Sequence, residues 1–163
     1  MADAALQAEG PRLDEKVFAG IAEPGLEFLA YVEATLAPAH ALLDAPFGGR
    51  LIVDVTGARV EGPRLKASLV GTAAADWVTV SADGSTGALD VRATLRTDDG
   101  ALIYSEYRGR VRFGPDGLHR VFTSPRYETG DPRYSWLNGL QCIGKGVSNA
   151  RERWLRYRLY AVT

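Results

Sequence analysis

From Leu26 the chain alternates, with Leu26, Phe28, Ala30, Val32, Ala34 and Leu36 on one side and Glu27, Tyr31, Glu33 and Thr35 on the other. A period of two over that length predicts a strand with one buried face. The pattern restarts at RLIVDVTG (50–57) and returns at RLKASLVG (64–71), DWVTVSA (76–82), TGALDVRATLRT (86–97), ALIYSEYRGRVRF (101–113), LHRVFTSPRY (118–127), SWLNGLQCIGKGV (135–147) and RWLRYRLYAV (153–162). DG at 83–84, DDG at 98–100 and GPDG at 114–117 separate these runs. Asp and Gly reach tight-turn geometry readily, so each cluster is a turn signal. No long segment carries helical spacing. The expectation is an all-β fold over 26–163, a single antiparallel barrel of about eight to ten strands, because closure removes the edges that many short strands would otherwise expose. Residues 1–25 mix alanines and acids with the breakers Gly10, Pro11, Gly20, Pro24 and Gly25. They are predicted as a loosely structured N-terminal extension with room for one short helical turn.

The DDG turn fixes a register. A three-residue loop of Asp98, Asp99 and Gly100 sets Leu89, Val91, Ala93 and Leu95 on one face with Ile103, Ser105, Tyr107 and Gly109. The other face then places Asp90 opposite Arg108, Arg92 opposite Glu106 and Thr94 opposite Tyr104, which yields two cross-strand ion pairs. A two-residue loop would mix Glu106, Arg108 and Arg110 into the apolar face. In the favoured register Arg92 and Tyr104 share one face, so they enter a cavity together or not at all.

Composition fits one soluble domain. The 163 residues are 46% hydrophobic and 24% charged, and no run of eighteen apolar residues exists to span a bilayer. The start, MADAALQAEGPRLDEK, has acids where a secretory signal has basic residues, so a cytoplasmic location is expected. Cys142 is the single cysteine, and with His40 and His119 it leaves too few soft ligands for a nitrogen- or sulfur-based metal site; no metal is expected. The net charge of −1 hides an asymmetry, with 6 basic and 13 acidic side chains in residues 1–91 against 13 and 7 in residues 92–163. Because the arginines alternate with apolar residues along strands, oppositely charged strands lying side by side explain this better than nucleic acid does.

No phosphate-binding glycine loop, GxGxxG, GxSxG or HExxH is present. Chemistry is left to carboxylates, tyrosines and arginines. Asp76 opens a strand and Glu128 ends one. A carboxylate held in an apolar barrel mouth has a raised pKa and serves as a general acid or base, while a tyrosine beside it donates to a developing enolate.

The segments VEGPRLKASLVGTAAADW (60–77), ALDVRATLRTDDGALIY (88–104) and TSPRYETGDPRYSWLN (123–138) resemble the three signatures of domain-of-unknown-function family 3237, small β-barrel proteins. Glu61, Gly62 and Pro63 match its EGP, Asp76 and Trp77 its DW, Asp90 and Arg92 its central strand, and Thr97 to Gly100 its TDDG, with Tyr104 following. Glu128, Thr129, Tyr134, Trp136, Leu137 and Asn138 match its FET…YxWLN, with Tyr127 where phenylalanine is common. The resemblance implies a self-associating antiparallel barrel without a cofactor. It gives weight to a small-molecule site in which Glu128, Asp76 and Tyr104 are catalytic candidates and Trp77, Arg92, Tyr134, Trp136 and Asn138 bind the substrate. The expected activity is cofactor-independent isomerase, lyase or cyclase chemistry on an aromatic or polyketide-like carbonyl compound, as in secondary metabolism. Alternatives are a lipocalin-like binding protein for an aromatic metabolite and an assembly module. A homodimer or other homo-oligomer is expected, with no membrane or nucleic-acid partner.

Overall fold

The computed structural model describes residues 15–163, so most of the predicted extension lies outside the described residues. A single helical turn, α1 (Glu15–Phe18), precedes ten strands. They are β1 (Leu26–Leu36), β2 (His40–Leu42), β3 (Gly49–Glu61), β4 (Lys66–Leu69), β5 (Ala75–Val80), β6 (Thr86–Thr97), β7 (Leu102–Arg112), β8 (Leu118–Glu128), β9 (Cys142–Asn149) and β10 (Trp154–Val162). All pairings are antiparallel. The order β1-β10-β9-β8-β7-β6-β4-β3 closes on itself because β3 also pairs with β1. Between β3 and β6 the place of one strand is shared, β4 at the end near Thr97 and β5 farther along. The barrel therefore has eight staves, one of them interrupted, and β2 adds to β3 outside the ring. Closure leaves few free edges, as the run of short strands requires.

The DDG loop sets the predicted register, with Asp90 opposite Arg108, Arg92 opposite Glu106 and Thr94 opposite Tyr104, but only the first of the two expected ion pairs forms: Glu106 takes Arg126 on β8 at 2.6 Å and Arg92 turns toward Asp90. Leu89, Val91 and Leu95 are buried against Ile103 and Ser105, while Arg92 and Thr94 are exposed. Two runs depart from simple alternation. In β1 the register shifts between Phe28 and Ala30, so Leu29 and Ala30 are both buried and Leu26 is 55% exposed. That bulge turns the first residues of the strand away from the core. The run 135–147 is not one strand: Pro132–Gly139 is a 3-10 segment and β9 starts only at Cys142. Asp131 initiates the segment by accepting from the Arg133 N–H at 3.0 Å, with Pro132 at its first turn.

The charge asymmetry resolves as neighbouring strands. Arg156 on β10 reaches Glu33 on β1 at 3.0 Å, Arg108 on β7 reaches Asp90 on β6 at 2.6 Å, and Arg59 on β3 pairs with Asp98. These pairs lie on the outer surface, with Asp90 half-buried, and contribute roughly 0 to 1 kcal/mol each. Among the described residues, no helix is long and apolar enough to cross a membrane.

Candidate functional site

The two ends of the barrel differ. Near Thr97 the interior is sealed by Leu65, Ile103, Leu137, Cys142 and Leu159, all fully buried. Leu65 is delivered by the EGP turn, closed by the Gly62 N–H donating to the Leu65 carbonyl at 2.9 Å. A side chain at Gly62 would run into the Leu29 carbonyl at the β1 bulge, which explains the glycine there. Leu137 is delivered by the 3-10 segment. Burial holds the Cys142 thiol in its neutral form, with its pKa pushed up to about 11. It is a small hydrophobe of the plug.

Toward the other end the barrel holds an apolar cavity of about 180 Å³. Its wall includes Val32, Val53, Val78, Leu89 and Val91, and it extends to the exposed residues Ala39, Ala150 and Arg153, which mark its mouth. Asp76 is the one carboxylate on the wall among the described residues. The alternation of β5 turns Asp76 inward and Trp77 outward, where the indole is 41% exposed. One Asp76 oxygen accepts the Asp90 N–H at 3.0 Å, at a place where β5 and β6 lack a continuous ladder. The other oxygen has no partner among the described residues. Burial raises the Asp76 pKa to about 6 from 3.8, opposed by the Asp90 amide and assisted by the Asp90 charge.

Tyr107 belongs to the same transverse row. Asp76 pairs with Val91 and Val91 with Tyr107, so two strand spacings, roughly 10 Å between backbones, separate the carboxylate from the tyrosine. Both side chains point inward. Burial, the neighbouring tyrosine Tyr157, Asp76 and Tyr127 keep the Tyr107 hydroxyl protonated, well above its ordinary pKa. The rings of Tyr107 and Tyr157 meet edge to face at 6.5 Å. Tyr127 and Tyr157 also line the cavity, and burial keeps both protonated. The hydroxyls of Tyr107, Tyr127 and Tyr157 make no side-chain hydrogen bond within the described residues and lie on the cavity wall, while Thr123 Oγ1 on β8 is the one buried side-chain polar atom without a partner among the described residues. The three tyrosine hydroxyls supply the cavity with donors for a ligand's oxygens or for water.

The remaining expected residues lie elsewhere. Arg92 and Tyr104 are together, as the register requires, and both are outside the barrel: Arg92 approaches Asp90 at 3.7 Å and the Tyr104 hydroxyl donates to Glu106 at 3.0 Å. Glu128 pairs across β7 and β8 with Tyr104, and the two share a shallow outer hollow with Thr94, Thr129 and Asn138. Asn138 is committed to Thr129, accepting its N–H at 2.9 Å and donating to its carbonyl at 3.0 Å. The Tyr134 hydroxyl donates to Asp99 at 3.0 Å, and Trp136 lies beneath the Arg64 guanidinium at 4.0 Å. These side chains fasten the sealed end. Of the expected site residues, the cavity takes Asp76 alone.

Tyr127 stands at the first position of the FET motif without being singled out, and Tyr107, Tyr157 and the mouth residues His119, Ser148 and Arg153 lie outside the motifs. Alternation sets the tyrosines with the buried residues of their strands: Tyr127 follows Val121, Thr123 and Pro125 at period two, and Tyr157 stands between Leu155 and Leu159, but it carries no signal for Arg153, which lies in a turn.

A UPF0311 protein of Rhodopseudomonas palustris is 30% identical over 117 residues, covering 63% of this chain and 74% of that relative. Among solved structures, a beta-barrel like protein from Acinetobacter baumannii AYE superposes with a TM-score of 0.78 at 28% identity, covering 89% of this chain and 99% of that one. The crystal structure of an enzyme from Penicillium herquei superposes with a TM-score of 0.64 at 24% identity, covering 95% and 100%. At that identity the likeness establishes the shared barrel alone. The family model described as protein of unknown function (DUF3237) matches residues 24–162, and the chain belongs to that family.

Proposed function

We propose that this protein is a cofactor-independent acid-base catalyst acting on a small aromatic or polyketide-like carbonyl compound inside the barrel. The observation that carries this reading is the Asp76 carboxyl, set in an apolar cavity with one oxygen unengaged and its pKa raised to about 6. A base of that strength is ionised at neutral pH and still able to hold the proton it takes. Asp76 removes a proton from the carbon beside the carbonyl. The electron pair moves onto the carbonyl oxygen, and the Tyr107 hydroxyl, protonated and without a protein partner, donates to the enolate that forms. Protonated Asp76 then returns its proton to a different carbon in an isomerisation, or to a departing or ring-closing group in an elimination or cyclisation. The apolar wall excludes water and aligns the ring of the substrate. That an enzyme from Penicillium herquei has the same barrel supports catalysis on this scaffold.

The test is hydrogen exchange at carbon. With 2-tetralone as probe in D2O near neutrality, followed by proton NMR, the protein accelerates loss of the signals beside the carbonyl. Asp76→Asn lowers the rate by about 10²- to 10⁴-fold, the usual contribution of a general base, with binding retained. Binding without exchange in the unmodified protein would instead establish the lipocalin-like reading.

A further inference from the structure

Arg153 stands at the cavity mouth in the turn between β9 and β10, and it is the one arginine or lysine on the cavity wall among the described residues. Its neighbours in sequence and space are engaged. Arg151 reaches Asp116 at 3.5 Å, Arg156 reaches Glu33 at 3.0 Å, and the nearest acid, Glu152, accepts the Trp154 indole N–H at 2.7 Å. The Arg153 side chain has no ion pair, hydrogen bond or aromatic partner among the described residues, although its carbonyl anchors the turn by accepting the Leu36 N–H at 2.9 Å. Its backbone is left-handed, φ 61°, a conformation that glycine adopts far more readily. A bulky residue in that region is an outlier that points to a function for the side chain.

Two further donors flank the mouth. His119 on β8 pairs with Ser148 on β9, and both line the cavity. The His119 Nδ1 accepts the Gly114 N–H at 3.2 Å, which leaves the ring's hydrogen on Nε2. Burial lowers the His119 pKa, so the ring is neutral and a donor at physiological pH. Ser148 has no hydrogen-bond partner among the described residues. The mouth thus carries one cation and two neutral donors, with the adjacent Glu152 turned to the Trp154 indole, while the only carboxylate on the cavity wall among the described residues, Asp76, lies on a different stave.

We propose that the cavity mouth is a carboxylate-binding subsite, in which Arg153, with Ser148 and His119 beside it, holds the anionic head of a ligand whose apolar body fills the barrel. The substrate class narrows to amphipathic carboxylates. An arginine fork suits the two oxygens of a carboxylate, and Asp76 inside repels the head, so the ligand enters body first. The proposal rests on the reading of the barrel cavity as the ligand site and does not require catalysis.

Two isosteric probes test it, 2-naphthoate and the neutral 2-acetylnaphthalene, titrated calorimetrically into the full chain. The unmodified protein is expected to bind the carboxylate about tenfold more tightly, in line with a charge-assisted hydrogen bond. Arg153→Gln removes that preference and leaves the neutral probe within about twofold, Arg153→Lys restores part of it, and Arg151→Gln changes neither. Equal binding of the two probes, unaltered in Arg153→Gln, overturns the subsite while leaving the cavity reading intact. Failure of both probes to bind the unmodified protein removes the cavity reading and the subsite with it. Retained circular dichroism and thermal transition in each variant separate loss of recognition from loss of fold.

Discussion

The Tyr134 hydroxyl donates to Asp99 Oδ1 at 3.0 Å, joining the 3-10 segment to the hairpin between β6 and β7. Asp99 is a hub. It also accepts from Thr97 Oγ1 at 2.6 Å and from Arg133 at 2.9 Å, while Thr97 Oγ1 accepts the Ala101 N–H at 2.7 Å. These bonds hold Asp99 ionised below its ordinary range, the Thr97 hydroxyl acting most strongly. The TDDG and YxWLN motifs are therefore two halves of one clasp, and Leu137 is the plug that the clasp holds in the barrel end.

Tyr134→Phe removes one bond of that clasp and should cost about 0.5–1.5 kcal/mol, the usual net worth of a hydrogen bond. Asn138→Ala removes both bonds to Thr129 and should cost more. Neither variant changes the affinity of 2-naphthoate for the cavity. Denaturant titration beside calorimetry checks the separation: a loss of binding without loss of stability would return these residues to the site.

The β6–β7 pairing was legible because turn length, apolar face and charge pairing agree, and one loop length satisfies all three. The same alternation already set Ser105 and Tyr107 with the buried face and Arg92 and Tyr104 away from it. Motif membership drew attention to Glu128, Tyr104, Trp77 and Arg92, whose side chains are outside the barrel, because a motif does not say whether it serves folding or chemistry. Asp76 was legible as a polar residue at a strand start, but its inward direction depends on β5 sharing a stave with β4. That placement depends on pairings with β3 and β6, which local periodicity does not encode. Arg153 was out of reach for a related reason, since only closure of β10 on β1 brings its turn to the cavity mouth.

The ionisation of Asp76 links stability to pH. Its folded pKa of about 6 lies above the ordinary 3.8, so the folded state favours the protonated acid. The associated stability is fully present below about pH 4, is lost as pH rises to about 6, and stays lost above that, a difference on the order of 2–3 kcal/mol. Asp76→Asn keeps an acceptor for the Asp90 N–H and carries no charge. Its thermal transition should match that of the unmodified protein near pH 4 and exceed it by a growing margin up to about pH 6.5, then run parallel. A difference that is flat across the range would mean that the carboxyl is not held in a low-dielectric site.

The same ionisation sets the rate. For a base with a pKa of about 6, kcat/KM for exchange of 2-tetralone falls tenfold per pH unit below that value and levels above it. Activity rises as this stability is lost, because the charge that burial disfavours is the charge that abstracts the proton, and the pH at which the stability loss levels off is the midpoint of the rate profile, about 6. A rate midpoint from NMR exchange that departs from the pH at which the difference between the melts of the unmodified protein and Asp76→Asn levels off would show that another group acts as base.

Wall glycines offer a test of the barrel's tight side. A methyl group at Gly146 would overlap the Arg156 carbonyl and the Tyr157 backbone and side chain, and neither backbone can move without opening the β9–β10 ladder. Gly130, in the corner before the 3-10 segment, has open space where the methyl would go. Gly146→Ala should cost about 1–3 kcal/mol, while Gly130→Ala should lie within about 0.5 kcal/mol of the unmodified protein. Urea titration of the two variants decides, and equal effects would contradict the packing described around Tyr157.

Arg153 sets recognition against stability at a single residue. Its left-handed backbone, φ 61°, strains a side-chain-bearing residue, and replacing it with glycine relieves that strain while raising the entropy of the unfolded chain. The first effect is the larger, since the αL penalty for a residue with a Cβ is about 1–2 kcal/mol and the entropic cost of glycine about 0.5–1 kcal/mol. Arg153→Gly should therefore melt slightly higher than the unmodified protein, by about 0.5–1 kcal/mol of stability, and lose its preference for 2-naphthoate over 2-acetylnaphthalene. A purely structural arginine would give the opposite pairing, lower stability with unchanged preference. Calorimetric titration and thermal melts on the same preparation distinguish the two, because a residue retained for its guanidinium shows its worth only when the carboxylate is present.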